Sequence, residues 1–503
     1  MKTTKIIFSM FTLFTAMVII NGCSENDLEL VNPNGLSPET FFKTEAQVQS
    51  AVNAAYANLQ TRGLYSRHIF FSQDNMSHEN AGNPQLEADK KQYLDFSFDS
   101  SHGPIADYWE SCYRGINKAN FVIGNEERIN AIDESVVSQA TKQKFLGEAK
   151  FLRALYNFLL VTRFGDMPLI TEIPTTTEGI AKSSADDVYA LIISDLQSAS
   201  ASLLDKSEEA NGRATKGAAI ALLGKVYLYR GEHALALAEF KKLTGYALEP
   251  DYFDNFKEET EHGIESIFEI EYDDALGASA KWDSSVTGAG PNEATFRGQE
   301  YGFNDWFNVY PSDDLKNEFE DGDLRYDGNF YYEGSESAIG TVKTGPAPNV
   351  IPEGEVYIPL EREVAWKKYQ NYYKDANEDQ ESGINFKYLR YADVLLMMAE
   401  CENEVGTQDN AIDLINEVRE RASLDGLAYG LSKTAVFEAI VHERKVELAG
   451  EQVRFNDILR WNLTSTELAG TNFQAGKNEL WPIPDREITS NENLSAADQN
   501  PGY

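Results

Sequence analysis

Leu223-Gly224-Lys225-Val226-Tyr227 and, a little further on, Ala236-Leu237-Ala238-Glu239-Phe240 set small residues against large ones at helical spacing, with Gly231 between them. Two antiparallel helices joined at that glycine can approach closely where the small residues sit, while the large ones fill the gap between them. A weaker copy of the pattern runs through Leu395, Met398, Ala399, Gly406, Ala411 and Ile415. The two copies are too distant in sequence for a contiguous solenoid. Because one helical hairpin cannot bury its own apolar face, such pairs must be scattered along the chain and brought together in space.

The spacing is the tetratricopeptide one, and it predicts a mostly α protein. Other stretches agree. Ala51, Ala54, Ala55 and Leu59 make one apolar face, and Phe145, Ala149, Leu152, Tyr156 and Leu159 make another, with Glu148 and Arg153 off that face. Gly165-Asp166-Met167-Pro168 supplies the glycine-then-proline signal that ends a helix, and after a threonine-rich connector at Thr175 to Thr177 a third apolar stretch begins near Val188. Cys112 and Cys401 fall inside apolar-periodic stretches and read as small buried hydrophobes.

From Asp251 to Gln380 the helical period fades and Gly, Asp, Asn, Ser and aromatic residues dominate. Trp282, Phe296, Tyr301, Phe303, Trp306, Phe307 and Tyr310 are interleaved there with Asn292, Gln299, Asn304, Asp305 and Asn308. Flat rings stack on the C–H face of a sugar while amides and carboxylates bond its hydroxyls, so this mixture suits an oligosaccharide. For any single ring the competing reading is that it tucks the long segment onto the helical core. A second loop-rich stretch, Ser72 to Asp107, carries Asp74, Asn75, His78, Tyr93 and Phe98. The candidate ligand-binding residues are Trp282, Tyr301, Trp306, Asp74 and Asn75, with Trp282 and Trp306 as stacking platforms.

The chain has 503 residues, 44 basic against 81 acidic, and a net charge of −37. Nucleic acid is excluded as a partner, because phosphate binding needs a positive surface. Residues 1–22 read as an export signal: Lys2 and Lys5 precede an apolar run from Ile6 to Ile20 that is too short to span a membrane comfortably. That run ends in Ile20-Asn21-Gly22-Cys23, which resembles the lipobox of bacterial lipoproteins, with Cys23 the acylated first residue. Catalytic motifs are missing: there is no G-x-S-x-G, P-loop or H-E-x-x-H, and the six histidines show no metal-ligand spacing along the chain. Asp375-x-Asn377-x-Asp379 has half of a calcium loop, but Gln380 stands where the turn glycine belongs. The reading is therefore of no catalytic residue, no cofactor and no metal.

Motifs spread over nearly the whole chain, in order, resemble the SusD/RagB family of nutrient-binding outer-membrane lipoproteins of Bacteroidetes. The carriers are Phe41-Phe42-Lys43-Thr44-Glu45 with Ala51-Val52-Asn53-Ala54-Ala55-Tyr56, then Gly115-Ile116-Asn117-Lys118-Ala119-Asn120, then Glu148-Ala149-Lys150-Phe151-Leu152-Arg153-Ala154 with Arg163-Phe164-Gly165-Asp166-Met167-Pro168-Leu169. Ala214-Thr215-Lys216-Gly217-Ala218-Ala219, Arg390-Tyr391-Ala392-Asp393-Val394-Leu395-Leu396, Glu443-Arg444-Lys445-Val446-Glu447-Leu448, Arg454-Phe455-Asn456-Asp457 and Leu480-Trp481-Pro482-Ile483-Pro484 follow, and Gln499-Asn500-Pro501-Gly502-Tyr503 ends the chain.

The resemblance implies a SusD-like fold on scattered tetratricopeptide-like pairs with a loop-rich, minor-β ligand-binding portion. The regions are a signal peptide at 1–22, a lipidated linker at 23–40, a helical N-terminal region at 41–250 and a C-terminal region at 251–503, loop-rich over 251–380 and helical over 386–462. It also implies an outer-membrane protein, lipid-anchored and facing the cell exterior, that delivers glycans to a SusC-like TonB-dependent transporter. Some relatives bind peptides, so a peptide ligand is the alternative within the family. A glycoside hydrolase and a purely structural helical scaffold are the readings from other classes. The family's ligand residues lie in variable loops, so the motifs carry no binding residue over. Glu148 with Arg153 and Glu443 with Arg444, which lie beside apolar runs, read as groups that satisfy helix ends and buried pairs.

Overall fold

Most of the long helices begin where a side chain satisfies an orphan N–H group of the first turn. Thr44 caps α1 (Glu45–Ala57), Ser138 caps α4 (Gln139–Phe164), Ser184 caps α5 (Ala185–Ser202) and Thr215 caps α6 (Lys216–Tyr229). The computed structural model describes residues 41–174, 178–277, 293–375 and 382–503. Thr44–Tyr503 form one unit, apart from Met1–Lys43, and it is the fold of that unit that follows. Its remaining principal helices are α2 (His68–Met76), α3 (Gly103–Ile123), α7 (His233–Phe240), the short α8 (Arg297–Tyr301), α9 (Tyr391–Val405), α10 (Gln408–Arg421), α11 (Lys433–Glu447) and α12 (Arg454–Arg460).

Helices stack in pairs. α3 packs on α4, α4 on α5, α5 on α6 and α6 on α7, after which α7 meets α9 across a long gap in sequence and α9 packs on α10 and α11. The two repeat-like hairpins, α6–α7 and α9–α10, are therefore neighbours in space, as burial of their open faces requires. At the heart of the first, a Cβ on Gly224 would stand 2.4 Å from Phe240 Cε1, so only glycine permits the observed approach. Leu395, Ala399, Ala411 and Ile415, the apolar positions of the second, are all buried. Gly165 ends α4 at φ 66° and ψ −121°, a backbone conformation open to glycine and not to residues with a Cβ. Cys112 and Cys401 are free and buried.

α4 is buried on nearly all sides, since α1, α3 and α5 pack against it. Glu148 and Arg153 are thus inside, and they do not pair with each other. Glu148 accepts from Tyr56 at 2.8 Å and pairs with Arg213 at 2.6 Å, while Arg153 makes a two-pronged bond to Asp195 at 2.7 and 2.8 Å. Glu443 likewise pairs with Arg325 and Arg419, and Arg444 with Asp457 and Asp393. Arg390 is held at 2.6–2.7 Å by Glu265, Glu447 and Glu451. Removing one partner from such a buried pair costs about 3–5 kcal/mol, because the other charge is left stranded.

The strands are short. β2 (Ser266–Ile270) and β6 (Phe386–Arg390) pair antiparallel beside the helices. β4 (Phe330–Tyr332) pairs with β5 (Val364–Trp366), and a small three-stranded sheet lies over residues 336–357. The pairing that matters most for the site is β1 (Asn80–Gly82) with β3 (Val309–Pro311), antiparallel, in register Asn80 to Pro311. It joins the Ser72–Asp107 stretch, about half of which is helical and not loop as its composition suggested, to the loop-rich stretch of the C-terminal half in a single ribbon.

Candidate ligand-binding site

Three of the five candidate residues converge, and they converge in the core. Asp74 and Asn75 sit on α2, every residue of which is buried. Tyr301, the last residue of α8, is 0% exposed; its hydroxyl donates to Asp74 Oδ2 at 2.9 Å and accepts from Asn80 Nδ2 at 3.0 Å. The same Asn80 amide donates to Asn75 Oδ1 at 3.0 Å, and Asn75 donates to the Lys90 carbonyl. Burial pushes the Asp74 carboxyl and the Tyr301 phenol upward from their ordinary values. Arg297 partly offsets this for Asp74, 3.6 Å away, while its guanidinium lies over the rings of Tyr301 and Tyr369. Phe70, Phe71 and Trp366 enclose the Tyr301 ring. This cluster locks α2, α8 and β1 together and presents no ring face to solvent.

Trp306 is placed differently. It is 37% exposed in a turn, Gly302–Asn308, closed by backbone bonds from Trp306 to Gln299, Phe307 to Gly302 and Asn308 to Glu300. Phe303 and Phe307 on either side point inward and join Tyr331, Val342, Ala365 and Tyr372 in a small separate core. With its neighbours committed inward and Phe307 held at φ 47°, the turn projects the indole outward. Asn83 Nδ2 anchors the turn by donating to the Phe307 carbonyl at 3.0 Å. Half-buried Asn308 donates to Glu300, and Asn304 is exposed, so polar groups flank the ring. Trp282 and Cys23 lie outside the described residues, as do the threonine-rich connector and the half calcium loop beyond Asp375.

A family profile described as "SusD family" matches residues 264–503, and one described as "Starch-binding associating with outer membrane" matches residues 28–228. A SusD-like protein of Formosa agariphila, P2, is 31% identical over 528 residues, covering 98% of this chain and 99% of that one. The chain belongs to the SusD family. It shares its fold with a SusD superfamily protein from Bacteroides vulgatus, at 26% identity and TM-score 0.77, covering 92% of this chain and 100% of the other. A laminarin-binding SusD-like protein matches at 26% identity and TM-score 0.76, with the same coverage.

Sequence reading of this SusD-family chain missed two features. Arg362 lies over the ring of half-buried Tyr310 at 4.4 Å, extending the surface beside β3, yet nothing in the sequence around Arg362 pointed there. The second feature is a cleft of about 970 Å³ between Trp109 and Tyr113 of α3, Leu169 to Glu172 with Ile180, and the helix Asp485–Ser490. Its size makes it a rival to the Trp306 turn. Its tryptophan, however, is only 3% exposed and packs edge-on against Phe164, so it offers no free face for stacking. The Trp306 turn is the better stacking surface for that reason.

Proposed function

We propose that this protein is a cell-surface nutrient-binding lipoprotein that captures oligosaccharide or polysaccharide and delivers it to a SusC-like TonB-dependent outer-membrane transporter. The observation that carries the reading is the outward indole of Trp306 on a turn clamped from beneath. Such a platform stacks on a sugar ring at little entropic cost. The laminarin-binding relative supports a glycan as ligand, and the outer-membrane association of the family matched by residues 28–228 supports the location. In this reading Cys23 carries the lipid anchor, residues 41–250 form the helical region and residues 251–503 present the ligand surface, with Trp282 a second platform. No residue is given a catalytic role.

A glycan array probed with the full chain, followed by calorimetry on the best ligand, tests it. Trp306→Ala should weaken binding by roughly 1–3 kcal/mol, as loss of a central aromatic contact does, with the melting temperature nearly unchanged. A large fall in melting temperature with binding intact would show the ring to be structural. Peptide binding without glycan binding would favour the alternative ligand, and shortened glycan products would favour a hydrolase. Cys23→Ser should leave the protein outside the outer-membrane fraction, since a stable anchor needs more than one acyl chain and the cysteine supplies the attachment point.

A further inference from the structure

Ahead of β2 the chain turns at Glu261-His262 and folds back onto the β2/β6 ladder. His262 holds φ 58°, in the left-handed region that non-glycine residues rarely occupy, and its N–H donates to Glu269 Oε1 at 2.8 Å. Glu269 is paired across the ladder with Lys387, whose ammonium donates to the same Oε1 at 2.5 Å. The other oxygen, Glu269 Oε2, lies 4.0 Å from His262 Nδ1. The opposite ring nitrogen, Nε2, lies 3.2 Å from Glu271 Oε2. Glu261 Oε1 accepts the Asn385 backbone N–H at 2.7 Å. One ligand atom each from Glu261, His262 and Glu269 lies within 4.8 Å of the others.

We propose that Glu261, His262 and Glu269 bind a divalent transition-metal ion, for which Zn²⁺ is the probe. Residues around the three hold them as metal ligands are usually held. An Nε2–H directed at the Glu271 carboxylate leaves the Nδ1 lone pair facing Glu269, which is the carboxylate–histidine–metal arrangement. Asn385 Nδ2 steadies both acids, donating to Glu269 Oε2 at 3.0 Å and to Glu271 Oε2 at 3.2 Å. Glu271 Oε1 has no hydrogen-bond partner among the described residues. Lys387 occupies only Oε1 of Glu269, and nearby Lys206 is committed to the carbonyls of Gly263 and Ser266. One imidazole with two carboxylates suits zinc better than calcium, which takes six to eight oxygens. Zinc bonds of about 2.0–2.2 Å set tetrahedral ligands about 3.3–3.6 Å apart, so the three side chains must close by up to about 1.5 Å.

The test is calorimetric titration of the full chain with Zn²⁺ after dialysis against a chelator, with Ca²⁺ titrated in parallel. The expected result is one zinc per chain and a zinc-dependent rise in melting temperature. Glu261→Gln and His262→Ala should each weaken that binding at least tenfold while the chelated proteins keep the wild-type circular dichroism. Glu271→Gln, which keeps the shape but weakens the orienting bond, should weaken it about 10–100-fold. If His262→Ala fails to fold, Glu261→Gln decides. The proposal is overturned if zinc does not bind, if calcium binds more tightly, or if the glutamine variants bind zinc as the wild type does. An imidazole that serves only as a cation between Glu269 and Glu271 would give the first of these results.

Discussion

Replacing Gly224 by alanine would set a Cβ 2.4 Å from Phe240 Cε1, 2.6 Å from Cδ1 and 2.9 Å from Cζ. Carbon atoms in contact prefer about 3.5–4.0 Å, so the ring or a helix must move. Phe240 is 1% exposed and sits beside buried Ala236 and Leu237, which leaves the ring no vacant space to enter. Two effects oppose each other. Alanine favours a helix interior over glycine by about 1 kcal/mol, whereas overpacking a filled core costs about 1–3 kcal/mol. Gly224→Ala should therefore destabilise by up to about 2 kcal/mol despite its better helix propensity. Gly224→Leu should cost more, because it displaces a ring whose burial contributes about 1.5–3 kcal/mol. The assay is urea unfolding followed by circular dichroism, with glycan affinity measured alongside and expected to hold. Combining Gly224→Ala with Phe240→Leu, which removes the obstructing ring edge, should recover about 0.5–1 kcal/mol relative to the sum of the single changes. An alanine variant more stable than the wild type would refute the close approach of α6 and α7.

His442 and Glu318 make a pH-dependent pair at 2.6 Å. The hydrogen bond to Glu318 raises the His442 pKa above its ordinary value, so its stabilisation is complete below about pH 6.5 and fades as the pH rises through the raised value. The same bond, helped by Lys445, holds Glu318 down to about 2, so that the glutamate's share is lost only as the pH falls from its ordinary value of 4.5 toward about 2. The stability gap between wild type and His442→Gln should accordingly shrink between pH 6 and pH 9; a constant gap would refute the pairing.

The helical scaffold was legible because its signals are local. The small-against-large spacing at Gly224 and Phe240, the stop at Gly165 and the apolar period around Cys112 and Cys401 each depend on residues within a few turns. Buried ion pairs were legible in kind but not in partner. Glu148 finds Arg213, in the turn before α6, and Arg153 finds Asp195, on α5, and no local pattern encodes those partners. The site shows the same division. The loop-rich character of 251–380 was visible as composition, yet the β1–β3 pairing that ties it to Ser72–Asp107 spans about half of Thr44–Tyr503 and has no turn signal to announce it. Orientation was hidden too, since Tyr301 and Trp306 share a composition and only the position of α8 against α2 turns one inward and the other out.

That last contrast separates fold from ligand binding in a testable way. Tyr301 and Trp306 lie within one short segment, but the first donates to a buried carboxylate and the second faces solvent. Tyr301→Phe keeps the ring and deletes the hydroxyl, leaving Asp74 with a weak 3.4 Å bond from Gln452 and a distant Arg297. A buried polar group deprived of its partner costs about 1–3 kcal/mol, and that loss should appear as lower unfolding stability with unchanged glycan affinity. Trp306→Ala should do the reverse. The two effects should also add, because the Tyr301 ring packs with Phe70, Phe71 and Trp366 while the turn rests on Phe303 and Phe307, in a different cluster. If Tyr301→Phe weakened glycan binding as strongly as Trp306→Ala, the buried cluster would have to reach the ligand, and the division between scaffold and platform would fall.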